Sequence, residues 1–126
     1  MRTAFTDLVG VPHPIVGFNR SPGVVAAVTN AGGFGVMSAT HQPPDQQRTE
    51  VARLRELSGD RPFGLNHLLF LVEEDRFQAT LELRPKVVST AWPWPEQDLA
   101  RFASAAHGAG ALTVTRSTPG WSISRR

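Results

Sequence analysis

Val24-Val25-Ala26-Ala27-Val28-Thr29-Asn30-Ala31-Gly32-Gly33-Phe34-Gly35-Val36-Met37 carries a helix end, a tight turn and a strand start in one run. Val24, Val25 and Val28 recur at helical spacing. Asn30-Ala31-Gly32-Gly33 supplies the stop, because glycine enters the left-handed region that ends a helix without steric cost. Phe34 to Met37 is then an apolar run of strand length. The glycines at 32, 33 and 35 mark places where backbone comes close to something. A dinucleotide loop follows a strand and opens a helix, whereas this one follows a helix and opens a strand. The segment therefore reads as a helix stop and a tight turn into a strand.

The same alternation extends in both directions. Upstream, Pro14-Ile15-Val16-Gly17-Phe18 reads as a short buried strand, and Ser21-Pro22 as the cap and first residue of the helix that follows. Downstream, Pro43-Pro44-Asp45 opens an amphipathic helix with Val51, Leu54 and Leu57 on one face, closed by Gly59. Arg61 to Asn66 is a third strand, and Leu68 to Val72 extends its apolar run. Glu73-Glu74-Asp75 then places acid where a helix dipole favours it, ahead of Phe77 and Leu81. Lys86 to Thr90 is a fourth strand. The proline-rich loop Ala91 to Pro95 leads to a helix with Leu99, Phe102, Ala103 and Ala106 on one side, and Ala111 to Val114 starts a fifth strand.

This βαβαβαβαβ order, with strands about 20–25 residues apart, predicts an α/β fold of parallel strands joined by right-handed crossovers. A doubly wound sheet and a (β/α)-barrel both satisfy it. A complete barrel takes about 250 residues and eight strands, so 126 residues hold roughly half of one. Residues 115–126 replace the next amphipathic helix with hydroxyls, a Pro-Gly turn and a basic end. They read as an irregular tail, as though the chain stopped within its fold.

Composition narrows the function classes. Hydrophobic residues make up 40% and charged residues 19%, as in ordinary globular proteins. The net charge is +2, and the basic residues are spread along the chain beside acidic ones instead of forming the patch that nucleic-acid binding needs. There is no cysteine, which excludes disulfides, thiolate metal sites and cysteine nucleophiles. The opening residues lack the apolar core of a signal peptide, and no run approaches the roughly 20 apolar residues that span a bilayer. The reading is a cytoplasmic protein.

In parallel barrels ligands bind where the βα loops converge, at the carboxyl ends of the strands. Asn66 falls there: its amide suits a flat ring edge, or it caps a local turn. His41 and His67 are expected at or near the same rim, as acid, base or anion contacts, or as structural side chains. No third group at metal spacing accompanies them. Ser89, Thr90 and Trp92-Pro93-Trp94 follow the fourth strand. The two tryptophans either wall an aromatic ligand or seal the rim. No nucleophilic triad and no P-loop can be assembled.

Several of these blocks together resemble the nitronate monooxygenase family, formerly 2-nitropropane dioxygenases. They are Pro14 to Phe18, Val24 to Met37, Arg61-Pro62-Phe63-Gly64-Leu65-Asn66 and Pro85 to Glu96. The resemblance runs from about Thr3 to Val114, and it makes residues 1–114 the N-terminal half of an FMN-binding (β/α)-barrel. It implies non-covalently bound FMN and oxidation of an alkyl nitronate by O2 to a carbonyl compound and nitrite. It also implies backbone around Gly17, Phe18 and Asn19 lining the flavin, with Asn66 matching a flavin-contacting asparagine. Many members carry a Gln-Gly-Gly-Met-type segment where Gly17-Phe18-Asn19-Arg20-Ser21 stands here. The family's catalytic histidine and phosphate-binding glycine loops lie in the second half of the barrel, and nothing here matches them. A half-barrel that self-associates, or that binds a small aromatic ligand without catalysis, is the alternative.

Overall fold

The computed structural model describes the backbone of residues 1–117 and 120–124; beyond residue 116 the one side chain described is that of Ile123. Its elements are α1 (Ala4–Val9), β1 (Val16–Asn19), α2 (Pro22–Asn30), β2 (Phe34–Ser38), α3 (Pro44–Ser58) and β3 (Phe63–Leu68), then a 3₁₀ turn at Leu69–Leu71. α4 (Glu74–Glu82), β4 (Val87–Ala91), α5 (Leu99–Gly108), β5 (Leu112–Ser117) and β6 (Gly120–Ser124) complete the chain order. Strands β1 to β5 pair in sequence order and all in parallel. With α2 to α5 on one face, this is a partial (β/α)-barrel, the α/β architecture that the alternation predicts.

The glycines of the opening stretch are explained by what lies behind them. A Cβ on Gly35 would sit 2.7 Å from the Val25 carbonyl oxygen and 2.6 Å from Thr29 Oγ1. One on Gly17 would sit 2.5 Å from Val28 Cγ2. Helix α2 thus rests directly on the backbone of β1 and β2, and Gly32 turns the chain between them at φ 95°. The close partner of these glycines is the protein's own helix.

Two apolar clusters fill the space between sheet and helices. Val25, Met37, Val51, Leu54 and Leu65 form one; Leu69, Phe77, Val88, Phe102 and Ala106 form the other. Each large side chain buried in this way contributes about 1.5–3 kcal/mol. A third cluster, on the opposite face, joins Phe34, Val36 and Val87 to Val9 and Val11, so α1 and the turn after it close one end of the concave surface.

Four expectations change. Helix α1 was not foreseen: Thr3 and Thr6 form a reciprocal capping box, and Gly10 ends the helix at φ 77°. β1 is an edge strand rather than a buried one, with Val16 and Phe18 each more than half exposed, because no described strand pairs with its outer side. β3 begins and ends two residues later than the sequence reading placed it. Finally, residues 120–124 are not irregular: the backbone returns after Ser117 and pairs antiparallel with β5.

Candidate functional site

Strand side chains alternate between faces, so register defines rows across the concave surface. The row nearest the carboxyl ends is Leu68, Ala91 and Arg116. Below it runs Ser38, Asn66, Ser89 and Val114. Lower still come Phe18, Val36, Gly64, Val87 and Leu112. One polar row thus lies one step below the rim, above hydrocarbon.

Most members of these rows, though not Ser38, Gly64 or Leu112, wall a cavity of about 520 Å³, within the range of small-molecule sites. Phe5 of α1 and Phe34 contribute to its lining, their rings meeting edge-on at 6.2 Å. Asn66 and Ser89, only 7% and 8% exposed as residues, line it, and neither side chain has a hydrogen-bond partner among the described residues. Their polar atoms open into the cavity, where a ligand can supply the partners that the protein does not.

The residues singled out by sequence divide between the two faces. Phe18 and Asn66 line the cavity. Gly17 turns away from it, against α2. Asn19 points the same way and accepts a hydrogen bond from the Ser21 amide at 2.9 Å, holding the β1–α2 turn. Trp92 lines the cavity mouth, but Trp94 does not; its indole donates to the Phe70 carbonyl at 3.3 Å. Thr90 faces outward and meets the Thr115 hydroxyl at 3.0 Å.

His67 is not at the rim. Because β3 runs on to Leu68, His67 lies inside the strand and faces the helices, fully buried, with its ring edge-on to Phe77. The Gln47 amide donates to the Gln42 and Arg76 carbonyls at 3.1 and 2.9 Å, which leaves its oxygen to accept from the Thr80 hydroxyl at 2.6 Å. The Thr80 proton is thereby used, so the contact with His67 at 2.7 Å requires the imidazole to donate from Nε2. Burial, reinforced by the nearby positive charge of Arg76, lowers the His67 pKa from 6.5 to about 4. His67 is a neutral structural side chain that ties β3 to α4. His41 is exposed beside a separate polar hollow of about 130 Å³ shared with Arg20, Ser38 and Glu50.

Sequence reasoning missed several lining residues, Phe5 and Arg116 among them. Phe5 was hidden with α1, although Thr3, Thr6 and Gly10 carried the cap signals. Arg116 follows Val114 by two residues and so shares its face, which period-two counting along an extended β5 would have found.

A parallel αβ sheet curved around an apolar cavity, with polar groups near the carboxyl ends of its strands, defines a partial (β/α)-barrel. The family model for nitronate monooxygenase matches residues 2–80, more than half of the chain. The chain belongs to that family, which is one of oxidoreductases.

Among curated relatives, Rv1533 of Mycobacterium tuberculosis, which carries a provisional monooxygenase designation, is 41% identical over 69 residues, covering 55% of this chain and 18% of its own length. A 5-hydroxy-7a-methyl-1-oxo-octahydro-1H-indene-4-carboxyl-CoA dehydrogenase of the same organism is 28% identical over 110 residues, covering 83% of this chain and 31% of its own. Among solved structures, FabK of Thermotoga maritima superposes with a TM-score of 0.77 at 28% identity, covering 91% of this chain and 37% of that one. The matched part of the chain thus covers between 18% and 37% of the length of these relatives. No helix among the described residues is long and apolar enough to cross a membrane.

Proposed function

We propose that the cavity binds FMN and serves the oxidation of an alkyl nitronate by O2 to a carbonyl compound and nitrite. The observation that carries this reading is the pair of polar side chains without protein partners, Asn66 and Ser89, one step below the rim of a mostly apolar cavity. A flat ring with a polar edge suits that arrangement: the amide of Asn66 both donates and accepts, and the hydroxyl of Ser89 does either. Phe18 and the backbone of Gly17 and Asn19 would flank the same ligand at the end of β1. The flavin supplies the electron chemistry; these residues position it and keep water away from the reacting atoms.

The test is a visible absorption spectrum of the purified chain, taken after FMN is added and the protein desalted, followed by oxygen uptake on propyl 2-nitronate. Retained flavin bands with nitrite release support the proposal. Retained flavin without oxygen uptake limits it to a flavin-dependent dehydrogenase or reductase, and colourless protein overturns it.

Self-association is a second reading, favoured by the edge strand β1 and the residue before it: Ile15, Val16 and Phe18 are 62%, 54% and 56% exposed. Light scattering that returned the mass of a single chain would refute it.

A further inference from the structure

We propose that the polar hollow beside His41 is a second binding site, and that its ligand is a small zwitterion such as an α- or β-amino acid. The ligand carboxylate meets Arg20, and its ammonium meets Glu50 and Gln42. The hollow holds about 130 Å³ and shares no lining residue with the apolar cavity, so it stands apart from the site given above to FMN.

Its place in the fold suits a ligand. Arg20 directly follows β1, Ser38 ends β2, His41 and Gln42 sit in the β2–α3 loop, and Gln46 and Glu50 lie one turn apart on α3. The hollow therefore lies by the first two βα loops, at the carboxyl ends of the strands, where parallel barrels bind small molecules. Asn19 holds the β1–α2 turn by accepting from the Ser21 amide. Gln47 holds the β2–α3 loop by donating to the Gln42 carbonyl at 3.1 Å. Both walls are thus braced before any ligand arrives, which lowers the ordering cost of binding.

Two observations define the ligand. Gln42 is a buried residue, yet its Oε1 has no hydrogen-bond partner. Its backbone is already engaged, the N–H with the Ala39 carbonyl and the carbonyl with Gln47, so the side-chain amide is what remains to serve a ligand. A buried amide is normally paired, and this one calls for a donor in the hollow. The second observation is charge. Arg20 and Glu50 line the same hollow with opposite signs, and neither side chain has a partner among the described residues. Other charges on α3 are paired, Arg48 with Asp45 and Arg53 with Glu56. A lone anion would meet the carboxylate of Glu50, and a lone cation the guanidinium of Arg20. A ligand carrying both signs satisfies the two together: its carboxylate accepts from Arg20, and its three ammonium N–H groups serve Glu50, Gln42 and the Ser38 hydroxyl. The hollow offers the space of about four water molecules, enough for roughly six non-hydrogen atoms.

Titration of the 126-residue chain with β-alanine, butyrate and n-butylammonium, followed by backbone amide shifts in two-dimensional NMR, tests the proposal. β-Alanine is expected to give saturable shifts at Ser38, Gln42 and Gln46. It should bind about 10-fold tighter than either singly charged probe, a modest factor because Arg20 is exposed and its charge partly screened. Arg20→Gln should bring β-alanine down to the affinity of n-butylammonium, and Glu50→Gln should bring it down to that of butyrate. Gln42→Leu should weaken β-alanine and n-butylammonium several-fold and leave butyrate unchanged. Neither charge makes a contact that the fold uses, so the spectra of both charge variants should otherwise match the wild type. Equal affinity for the three probes, no saturable shift at these residues, or undiminished β-alanine affinity in both charge variants would each overturn the proposal. FMN retention is read separately at the other cavity, so failure here and failure of the flavin reading are distinct results.

Discussion

Replacing Gln47 by leucine should cost more stability than any substitution at the protein surface, although Gln47 touches no ligand. Gln47 is fully buried between α3 and α4 and makes three hydrogen bonds, donating to the Gln42 and Arg76 carbonyls and accepting from Thr80. Leucine has nearly the same volume, so the loss lies in the bonds rather than in a cavity. At about 1 kcal/mol each, three bonds give about 3 kcal/mol, out of the roughly 5–15 kcal/mol that holds a domain of this size together. Thr80→Val removes two bonds, to Gln47 and from His67, and should cost about 2 kcal/mol. The Gln47–Thr80 bond is common to both variants, so the double variant should lose about 4 kcal/mol and the cycle should report coupling of about 1 kcal/mol. Urea unfolding followed by circular dichroism measures all four proteins. A loss below 1 kcal/mol in Gln47→Leu at unchanged m-value, or strict additivity in the cycle, would refute the reasoning.

The remaining predictions concern pH and glycine packing. The folded-state pKa of His67 is about 4, below the unfolded value of 6.5, so the unfolded chain takes up the proton first as pH falls. Stability should therefore be full above pH 6.5 and decline towards pH 4; by pH 4.5 the loss is about 2.5 kcal/mol. His67→Gln should remove that contribution, and identical pH profiles for the two proteins would show it to be absent. Gly35→Ala drives a methyl group into the Val25 carbonyl and should destabilise by about 1–3 kcal/mol or more, read from thermal unfolding. Gly108→Ala meets nothing within 4 Å at the end of α5 and should stabilise by about 0.5–1 kcal/mol; a loss there would contradict the assigned helix.

The alternating framework was legible because its signals are local. Helix periodicity, cap glycines and short apolar runs locate α2 to α5 and β1 to β5 to within a few residues. The faces of the strands were harder to read. A strand shifted by two residues keeps its alternation, so the end of β3 could be misplaced while Asn66 stayed on the correct side. His67, one residue further, then looked like a loop residue at the rim, when it is a buried partner of Thr80. Glycine spacing in residues 32–35 recorded a close approach without naming what approached; only the packing of α2 identifies it. Arg116 and Phe5 joined the site through tertiary curvature, which brings α1 and β5 to the same concave wall. The cap signals of α1 and the alternation along β5 were local and readable; only their meeting on one wall is tertiary. The pairing of β6 with β5 is local by contrast, with only two residues between the strands; its Pro119-Gly120 signal was read as an irregular tail.

The most direct test of the central claim is a titration of FMN with the purified chain, followed by quenching of flavin fluorescence, for the wild type and for the Asn66→Ala/Ser89→Ala double variant. The account predicts saturable quenching in the wild type. It predicts affinity weaker by about 10–100-fold in the double variant, the worth of two hydrogen bonds at about 1 kcal/mol or slightly more each. Absent quenching, or the same affinity in both proteins, would contradict the assignment of the Asn66–Ser89 wall as the ligand site.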